Sequence, residues 1–439
     1  MLQFITIATF AWLTLCAGYS IHRLASGDER SIHFVLLVFF LFCGLPLGMD
    51  LVIGQPQYGD QPNYHRVSGD EPTCLIYCIW MAAVPPICLY FQPRKRPTGN
   101  KKQPRLYDLK SSTRVACYLI FWSPLLSLFV APNPSLYLTY AATLTVVPTP
   151  AEMDFDSFKS ILCMLAVLMM ITMLISIRTI SLGDVTTMFA SAIQVSWLHG
   201  KRSIIAVILL GCLYGLWKRG VLRGARMWLG MSVAATFMIV ATYSYQSAVR
   251  GFSMSEQSFY YDCARVDFCR DAVIKQAIYA EIYKSPMVLE YRGQSLLFYV
   301  TFLVPRKMWP GKPWPYAIYA TATMLERAEY EDIGWGMTTS LLDELLVNIG
   351  WLGTICAPMF LSLLCRLGDG CNSALLGALT VLVGCLFMVL HLSAFMPLFL
   401  LWLAAVYYCR PRASGKRHLP VRGVMTQQNC LPLMRRNVA

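Results

Sequence analysis

The sequence predicts an all-α, polytopic integral membrane protein, and three observations lead to that prediction. Of the 439 residues, 56% are hydrophobic and only 14% are charged, whereas a soluble domain has about 25% charged residues. Apolar runs long enough to cross a bilayer as helices recur through the chain. The alternating segments of about ten residues that characterise membrane β-barrels do not occur.

About eleven spanning helices are predicted, within a range of ten to twelve. They lie at 2–21, 33–54, 74–92, 115–131, 160–177, 183–199, 203–217, 227–247, 345–365, 374–391 and 395–409. The first run has no basic segment before it and no small-residue cleavage site, so we expect a retained helix and not a removed signal peptide.

Basic residues set the expected orientation, because Lys and Arg accumulate in cytoplasmic loops. Segment 93–114 has eight Lys or Arg against one acid, 218–226 has four and no acid, and 410–439 has seven and no acid. An odd number of spans places all three segments on the cytoplasmic side and the N-terminus outside. The net charge of +13 is therefore expected to reflect topology, and no nucleic-acid partner is expected.

We expect a single transmembrane domain over 1–439, with an extracytoplasmic loop or cap at 248–344 and a basic cytoplasmic tail at 410–439. The loop lies between the eighth and ninth spans, and from Arg250 to Asp332 it has as many acidic as basic residues. Loops of this length are uncommon and are usually functional. Residues 262–283 are predicted to form surface helices, and Cys263 and Cys269 within them would pair only on an oxidising side.

Segment 291–353 mixes charged and aromatic residues where the spans are interrupted. It contains VPRKMWPGKP, in which Arg306, Lys307, Trp309 and Lys312 follow an apolar run too short to span. Arg matches phosphate geometry and Trp prefers the headgroup layer. We expect a site for an amphipathic anion here, and the alternative is the basic anchor of an interfacial helix.

The sequence HGKRS at 199–203 is a second candidate for anion binding. Lys201 and Arg202 lie at an outer helix end, where topology does not need them, and helix N-termini favour anions. We predict a pyrophosphate clamp; the alternatives are snorkelling basic residues or a cytoplasmic turn. Arg250, at the end of the eighth span, is either a helper of this clamp or an interfacial anchor.

Glu344 lies in TTSLLDELLVNIG, near the outer mouth of the ninth span. A carboxylate at this position is costly unless it is paired or faces water. We expect either a general base or acceptor-sugar ligand, or a salt-bridge partner of one of the outer arginines.

The chain has no GxSxG, HExxH, Walker A or CxxC motif. We therefore expect no metal and no cofactor. Because no nucleotide-consuming domain is apparent, a reaction here must bring its activation energy with the substrate, as a lipid pyrophosphate sugar does.

The motifs HGKRS, VPRKMWPGKP and TTSLLDELLVNIGWLG, in this order over about 190–355, resemble the bacterial oligosaccharide repeat-unit polymerases of the Wzy type. These are O-antigen and capsular polysaccharide polymerases, and they are related to O-antigen ligases. The N-terminal helices match only in being helices. The family pattern usually has Gly-Glu where this chain has Asp343-Glu344, so the departure concerns Asp343 more than Glu344.

The resemblance implies an enzyme of the bacterial inner membrane that works on the extracytoplasmic face without a metal. It implies an undecaprenyl-pyrophosphate-linked glycan donor and acceptor as partners, together with membrane lipids, a flippase and a chain-length regulator. We predict catalytic roles for Glu344 as base and for Arg306 and Arg202 on the leaving pyrophosphate. The predicted substrate-binding residues are Lys201, Arg250, Arg292, Lys307, Lys312 and Trp309.

Two other functions fit the same composition. An O-antigen ligase uses the same donor but transfers to a lipid A-core acceptor. A lipid-linked oligosaccharide flippase would need charged residues along a mid-bilayer path and often internal repeats, and neither is apparent in the sequence.

Overall fold

The described part of the chain is all-helical. A computed structural model describes residues 1–56, 58, 61–92, 111–140, 149–249, 258–327, 330, 336–371 and 373–409, and none of these residues forms an extended strand. Met1–Cys409 forms one packing unit. The predicted tail 410–439 and the candidate Arg250 lie outside the described residues.

The described residues up to 249 contain nine helices. They are α1 Leu2–Ala25, α2 Ile32–Val52, α3 Pro62–Gly69, α4 Glu71–Tyr90, α5 Ser111–Leu126, α6 Pro150–Ser176, α7 Leu182–His199, α8 Arg202–Lys218 and α9 Ala225–Val249. A π-helical turn at Phe40–Gly44 interrupts α2, and 3-10 turns at Ser127–Val130 and Pro134–Leu138 follow α5.

Seven more helices occupy the described residues after 257. They are α10 Phe259–Phe268, α11 Asp271–Tyr283, α12 Gln294–Val300, α13 Tyr316–Met324, α14 Leu341–Asp369, α15 Ala374–Leu386 and α16 Leu392–Cys409. A 3-10 turn at Gly350–Leu352 lies within α14, and another at Leu392–Phe395 begins α16.

Among the described residues, eight helices are long and apolar enough to cross a membrane: α1, α2, α4, α5 together with the 3-10 turn Ser127–Val130, α6, α9, α14 and α16. The all-α prediction is confirmed, and these eight helices fit a polytopic membrane protein. The predicted spans at 183–199, 203–217 and 374–391 correspond to α7, α8 and α15, which are outside that set. The count of eleven spans stays a prediction.

Capping explains how the chain turns between α7 and α8. Ser181 and Asp184 form a reciprocal capping box that starts α7. Gly200 ends the helix with a φ of +66°, a left-handed conformation that glycine adopts without steric cost. The chain therefore reverses within two residues, and α8 starts at Arg202.

Contacts between helix termini define two ends of the bundle. Lys201, just before α8, lies 4.0 Å from Asp156 near the start of α6. Arg219, just after α8, donates to the carbonyl oxygens of Leu174 and Ile177 at the end of α6, both at 2.8 Å. The two helices therefore run parallel over the same length. We call the end with Asp156 and Lys201 the site end, and the end with Arg219 the opposite end.

Other helices join the opposite end. Trp217 Nε1 donates to the Leu24 carbonyl oxygen at 2.9 Å, which brings the end of α1 to the end of α8. Ser31 Oγ donates to Asp369 Oδ1 at 2.6 Å, which ties the start of α2 to the end of α14. Because α2 begins and α14 ends at the opposite end, the end of α2 with Asp50 and the start of α14 with Glu344 point toward the site end.

The prediction of surface helices at 262–283 is wrong about the surface. Helices form there, as α10 and α11, but α11 packs against α3, α4 and α14, and Ile274, Ala277 and Ile278 are fully buried. The mixed charge that suggested solvent exposure is neutralised internally, as in the 2.9 Å contact between Lys275 and Asp271. Cys263 and Cys269 are not joined by a disulfide.

Candidate functional site

Glu344 lies in the first turn of α14 and is only 3% exposed. Its carboxylate accepts hydrogen bonds from Ser295 Oγ at 2.8 Å and Tyr299 Oη at 3.1 Å, both on α12. Asn348 Nδ2 donates to Ser295 Oγ at 2.8 Å, so this donor is itself held in place. Within the part of the chain that the structure describes, no Lys or Arg forms an ion pair with Glu344. Its partners are neutral hydroxyls, not the arginine of the salt-bridge alternative.

Asp343 is fully buried next to Glu344. Its Oδ1 accepts from the Ser340 backbone N–H at 2.8 Å and from the Ser340 hydroxyl, which forms the capping box of α14. Its Oδ2 is buried, and the buried Tyr316 hydroxyl lies close to the Asp343 carboxylate. Burial and the charges of Asp343 and Glu344 raise the pKa of Tyr316, so that hydroxyl keeps its proton at neutral pH. Helix capping gives Asp343 a structural role at the start of α14.

Arg202, the first residue of α8, pairs with the buried carboxylate of Asp267 at the end of α10. Its guanidinium also lies 5.5 Å from the centre of the Tyr245 ring. Gln246 Nε2 donates to Asp267 Oδ1 at 2.9 Å. Burial raises the pKa of Asp267, and the charge of Arg202 opposes that rise. The predicted clamp residue is therefore in place but already has a carboxylate partner.

Arg270, between α10 and α11, was missed by the sequence analysis. It is 3% exposed, and its guanidinium donates to the carbonyl oxygens of Cys269 at 2.7 Å and Val389 at 3.4 Å. No carboxylate among the described residues forms an ion pair with it. Burial and the repulsion from Arg202 lower the pKa of Arg270 to about 10. We call Arg202, Asp267 and Arg270 the guanidinium cluster; it has two cations and one carboxylate.

The junction between α15 and α16 connects the guanidinium cluster to the carboxylates of α14. The Phe387 carbonyl oxygen accepts from the Leu341 N–H at 2.8 Å, and the Val389 carbonyl oxygen accepts from Arg270. The charge of Arg270 also attracts the Asp343 carboxylate. The structure thus brings Arg202 and Glu344, two residues predicted from separate motifs, to the same end of the bundle.

Lys201 has a looser environment than Arg202. Its ammonium lies 4.0 Å from Asp156 Oδ2, and half of its side chain is exposed. The same carboxylate binds the buried Lys159 at 2.8 Å, and Lys159 Nζ lies 4.2 Å from the centre of the Tyr137 ring. One carboxylate thus faces two ammonium groups, so this patch also has an excess of positive charge.

Arg292 holds the chain after α11 against α14. Its guanidinium forms a two-pronged ion pair with Glu281, at 2.6 and 2.8 Å. It also donates to the Val347 carbonyl oxygen at 3.1 Å. Partial burial raises the pKa of Glu281, but the hydrogen bonds from Arg292 and Lys284 outweigh that effect and bring the pKa below its ordinary value. These contacts give Arg292 a structural role beside its predicted role in substrate binding.

Arg306 and Lys312 stabilise their own loop. The Arg306 guanidinium lies 3.5 Å from the centre of the Trp314 ring and donates to the Pro313 carbonyl oxygen at 3.1 Å. Lys312 Nζ donates to the carbonyl oxygens of Phe302 at 3.0 Å and Val304 at 2.9 Å. Arg306 shares no contact partner with Arg202 in the described residues, so a joint clamp by these two arginines stays a prediction.

The same loop exposes apolar side chains around Lys307. Leu303 is 89% exposed, Met308 78% and Trp309 36%, and Lys307 is exposed as well. This combination of apolar, aromatic and basic side chains is typical of a segment at the membrane interface. Trp309 and Lys307 are therefore both exposed on this segment.

A second buried charge cluster, which the sequence analysis also missed, connects α2, α10 and α11. Arg265 pairs with Asp50 and lies 3.5 Å from Asp271, while Lys275 lies 2.9 Å from Asp271 and 3.5 Å from Asp50. Burial would raise the pKa of Asp271, but Lys275 and Arg265 outweigh it, and that pKa lies below its ordinary value. We call these four residues the charge tetrad. The signal that could have found it is the density of charges over 265–275 in an otherwise apolar helical stretch.

Comparison with protein-family models, with curated proteins and with solved structures finds no match to this chain. Within the described ranges, no group of three or more His, Cys, Asp or Glu side chains is arranged to hold a metal ion. Any functional conclusion must therefore come from the geometry of the site end and from the sequence motifs.

Proposed function

We propose that the protein is a membrane glycosyltransferase that polymerises undecaprenyl-pyrophosphate-linked oligosaccharide repeat units into O-antigen, capsular polysaccharide or exopolysaccharide. One observation carries the proposal. A buried carboxylate held by neutral donors, Glu344, lies at the same end of the bundle as the guanidinium cluster. An acid–base group and fixed cations near each other are what transfer from a pyrophosphate donor requires.

In the proposed reaction, a hydroxyl of the acceptor sugar attacks the anomeric carbon of the donor glycan. The new glycosidic C–O bond forms as the bond to the pyrophosphate oxygen breaks, and that oxygen keeps the electron pair. Glu344 takes the proton from the attacking hydroxyl. Arg202 and Arg270 stabilise the charge that develops on the leaving pyrophosphate, and fixed cations at that position lower the barrier because they need no reorganisation.

The positioning of Glu344 fits a base. Ser295 and Tyr299 fix both carboxylate oxygens, and Asn348 fixes Ser295. These donors are neutral hydroxyls, and among the described residues no ion pair neutralises the carboxylate. The exposed Lys307 and Trp309 support docking of the lipid carrier at the membrane interface.

The test is reconstitution of the purified protein in liposomes with the lipid-linked repeat unit of its host. A ladder of products that differ by one repeat unit supports the polymerase. A single transfer that needs a lipid A-core acceptor would assign a ligase. Movement of the lipid-linked sugar to the other leaflet without any product would assign a flippase.

We also propose eleven spans with the site end on the extracytoplasmic face. The support is that α8, with only 17 residues, runs beside α6 from Lys201 to Arg219, and that basic segment 218–226 follows its other end. Seventeen residues at 1.5 Å each reach about 26 Å, close to the thickness of the hydrocarbon core.

Single cysteines at Lys284 and Arg223 test this topology, in a background without the exposed Cys212 and Cys409 and without Cys430. A membrane-impermeant maleimide added to intact spheroplasts should label position 284 and not 223, and permeabilisation should make 223 reactive. The reverse pattern would place the site end in the cytoplasm and contradict the proposed use of an extracytoplasmic donor.

A further inference from the structure

A cavity of about 170 Å³ lies at the site end, and the proposed reaction gives it no role. It is bounded by the starts of α1 and α4, the end of α2 and Lys275 on α11. Its polar lining consists of Gln3, Thr6, Asp50, Gln55 and Lys275. Its apolar lining consists of Leu2, Leu47, Leu51, Cys74, Tyr77 and Cys78.

The charged groups of this lining are fixed and balanced. Lys275 and Asp50 belong to the charge tetrad, in which two carboxylates face two cations. A pyrophosphate would add buried negative charge to a network that is already neutral, and buried charge without a partner is costly. The guanidinium cluster, with its excess cation, suits an anion; this cavity suits an uncharged ligand with many hydrogen-bonding groups.

The size and shape of the cavity further limit which ligands it can bind. Pockets for drug-sized molecules measure about 300–1,000 Å³, so this cavity is too small for a whole oligosaccharide. It exceeds several-fold the share of about 30 Å³ that one water occupies in the liquid. A single sugar ring has hydroxyl groups around its edge and C–H groups on its faces. Those two kinds of surface match the amide, hydroxyl and charged groups of the lining and its partly exposed apolar side chains, Leu2 and Leu51.

We propose that this cavity binds one uncharged sugar residue of the glycan substrate. Its hydroxyls would face Gln3, Thr6 and Asp50, and its C–H face would lie toward the partly exposed Leu2 and Leu51. The identity of the ligand as a sugar rests on the proposed function. The charge tetrad and the guanidinium cluster flank the junction between α10 and α11. The proposed sugar subsite is therefore next to the proposed pyrophosphate site.

Two threonines of α1 give a matched test. Thr6 Oγ1 donates to the Leu2 carbonyl oxygen at 3.0 Å, and Thr14 Oγ1 donates to that of Phe10 at 2.8 Å, but only Thr6 lines the cavity. Thr6→Phe fills the space, whereas Thr14→Phe adds the same bulk on an exposed position. Gln3→Leu is a milder variant that removes an amide and keeps the volume.

The probe is the lipid-free oligosaccharide that mild acid releases from the host's lipid-linked repeat unit, with binding measured by calorimetry on the full chain in detergent. We expect Thr6→Phe to weaken binding at least about tenfold, which equals about 1.4 kcal/mol. Gln3→Leu should weaken it by a few-fold, as expected for one lost hydrogen bond. Thr14→Phe should bind like the wild type.

The outcomes separate the subsite from the reaction. If product ladders form but Thr6→Phe and Gln3→Leu change neither binding nor the KM for the lipid-linked unit, the subsite proposal is overturned and the polymerase stands. If no ladder forms but binding depends on Thr6 and Gln3, the polymerase fails and the sugar site stands. If the wild type neither binds the oligosaccharide nor elongates it, both proposals fall.

Discussion

The charge tetrad and the guanidinium cluster flank the same junction between α10 and α11, and they differ in charge balance. The tetrad has two cations and two carboxylates, joined by contacts of 2.9 to 3.5 Å and one closer pair. In the guanidinium cluster, Arg202 and Arg270 face one carboxylate, and the guanidinium of Arg270 contacts carbonyl oxygens.

This difference separates two uses of buried charge. In a balanced network the opposite charges compensate one another, so removing one member leaves an uncompensated charge and destabilises the fold. An unbalanced cluster is costly to keep in a folded protein unless a ligand or a charge in the reaction compensates it. The Glu344 carboxylate is also an unbalanced charge, because its hydrogen-bond donors are neutral hydroxyls.

The largest effect is expected for Glu344→Gln. The amide keeps the size of the side chain but cannot take a proton, so chain elongation should fall about 100- to 10,000-fold, the range of general-base contributions. The melting temperature should change little. Gel analysis of ladder formation in liposomes measures the rate.

Glu71→Gln is the control, since Glu71 is exposed in the first turn of α4. Near-normal elongation by a folded Glu344→Gln variant would exclude the base role and leave Glu344 as a structural partner of α12.

Lys275→Met tests the balanced cluster. It leaves Arg265 to face two buried carboxylates, so the free energy of unfolding should fall by about 3–5 kcal/mol, as is typical for a broken buried pair. Thermal denaturation in detergent measures the loss.

The double variant Lys275→Met/Asp271→Leu restores the balance between Arg265 and Asp50 and should recover part of the stability. If the double variant is less stable than Lys275→Met alone, then charge balance is not what makes the tetrad stabilising.

Arg202→Ala tests the unbalanced cluster. Arg270 remains to attract Asp267, so the melting temperature should shift by little. The kcat/KM for elongation should fall about 100-fold, because a fixed cation at the leaving group is lost. Arg202→Lys should recover only part of this, since an ammonium lacks the planar fork of guanidinium.

Arg223→Ala, an exposed substitution just after α8 at the opposite end, is the control. A large fall in stability without a fall in the rate of the remaining folded protein would show that Arg202 serves the fold, in the manner of the tetrad.

The smallest effect is expected at the ion pair of Glu281 with Arg292, because the Arg292 side chain is 49% exposed and such pairs contribute about 0–1 kcal/mol. The pKa of Glu281 lies below its ordinary value in the folded protein. The stability that ionised Glu281 contributes to the folded protein is therefore fully present above the ordinary carboxyl pKa. It is lost as the pH falls through the lowered pKa of Glu281 in the folded protein. The melting temperatures of the wild type and Glu281→Gln should converge on acidification, and a gap that stays constant would contradict this.

The positions of the long helices could be predicted from the sequence alone. Hydrophobicity over a window and the rise of a helix are local properties, so the predicted spans at 2–21, 33–54 and 227–247 fall on α1, α2 and α9. The reversal at Gly200 and the placement of Lys201 and Arg202 at a helix start follow from local capping rules as well.

The tertiary structure alone decided which charges face each other. Asp50 and Lys275 are 225 positions apart in the chain, and no local pattern predicts that they form one network. The mixed charges over 262–283 predicted solvated helices, and Arg270 was only one of several charges there. In the structure, α11 packs against α3, α4 and α14 and is not at the surface. Burial and charge pairing depend on distant segments meeting, whereas helix formation depends on neighbours in sequence, and this is why the sequence located the helices but not the clusters.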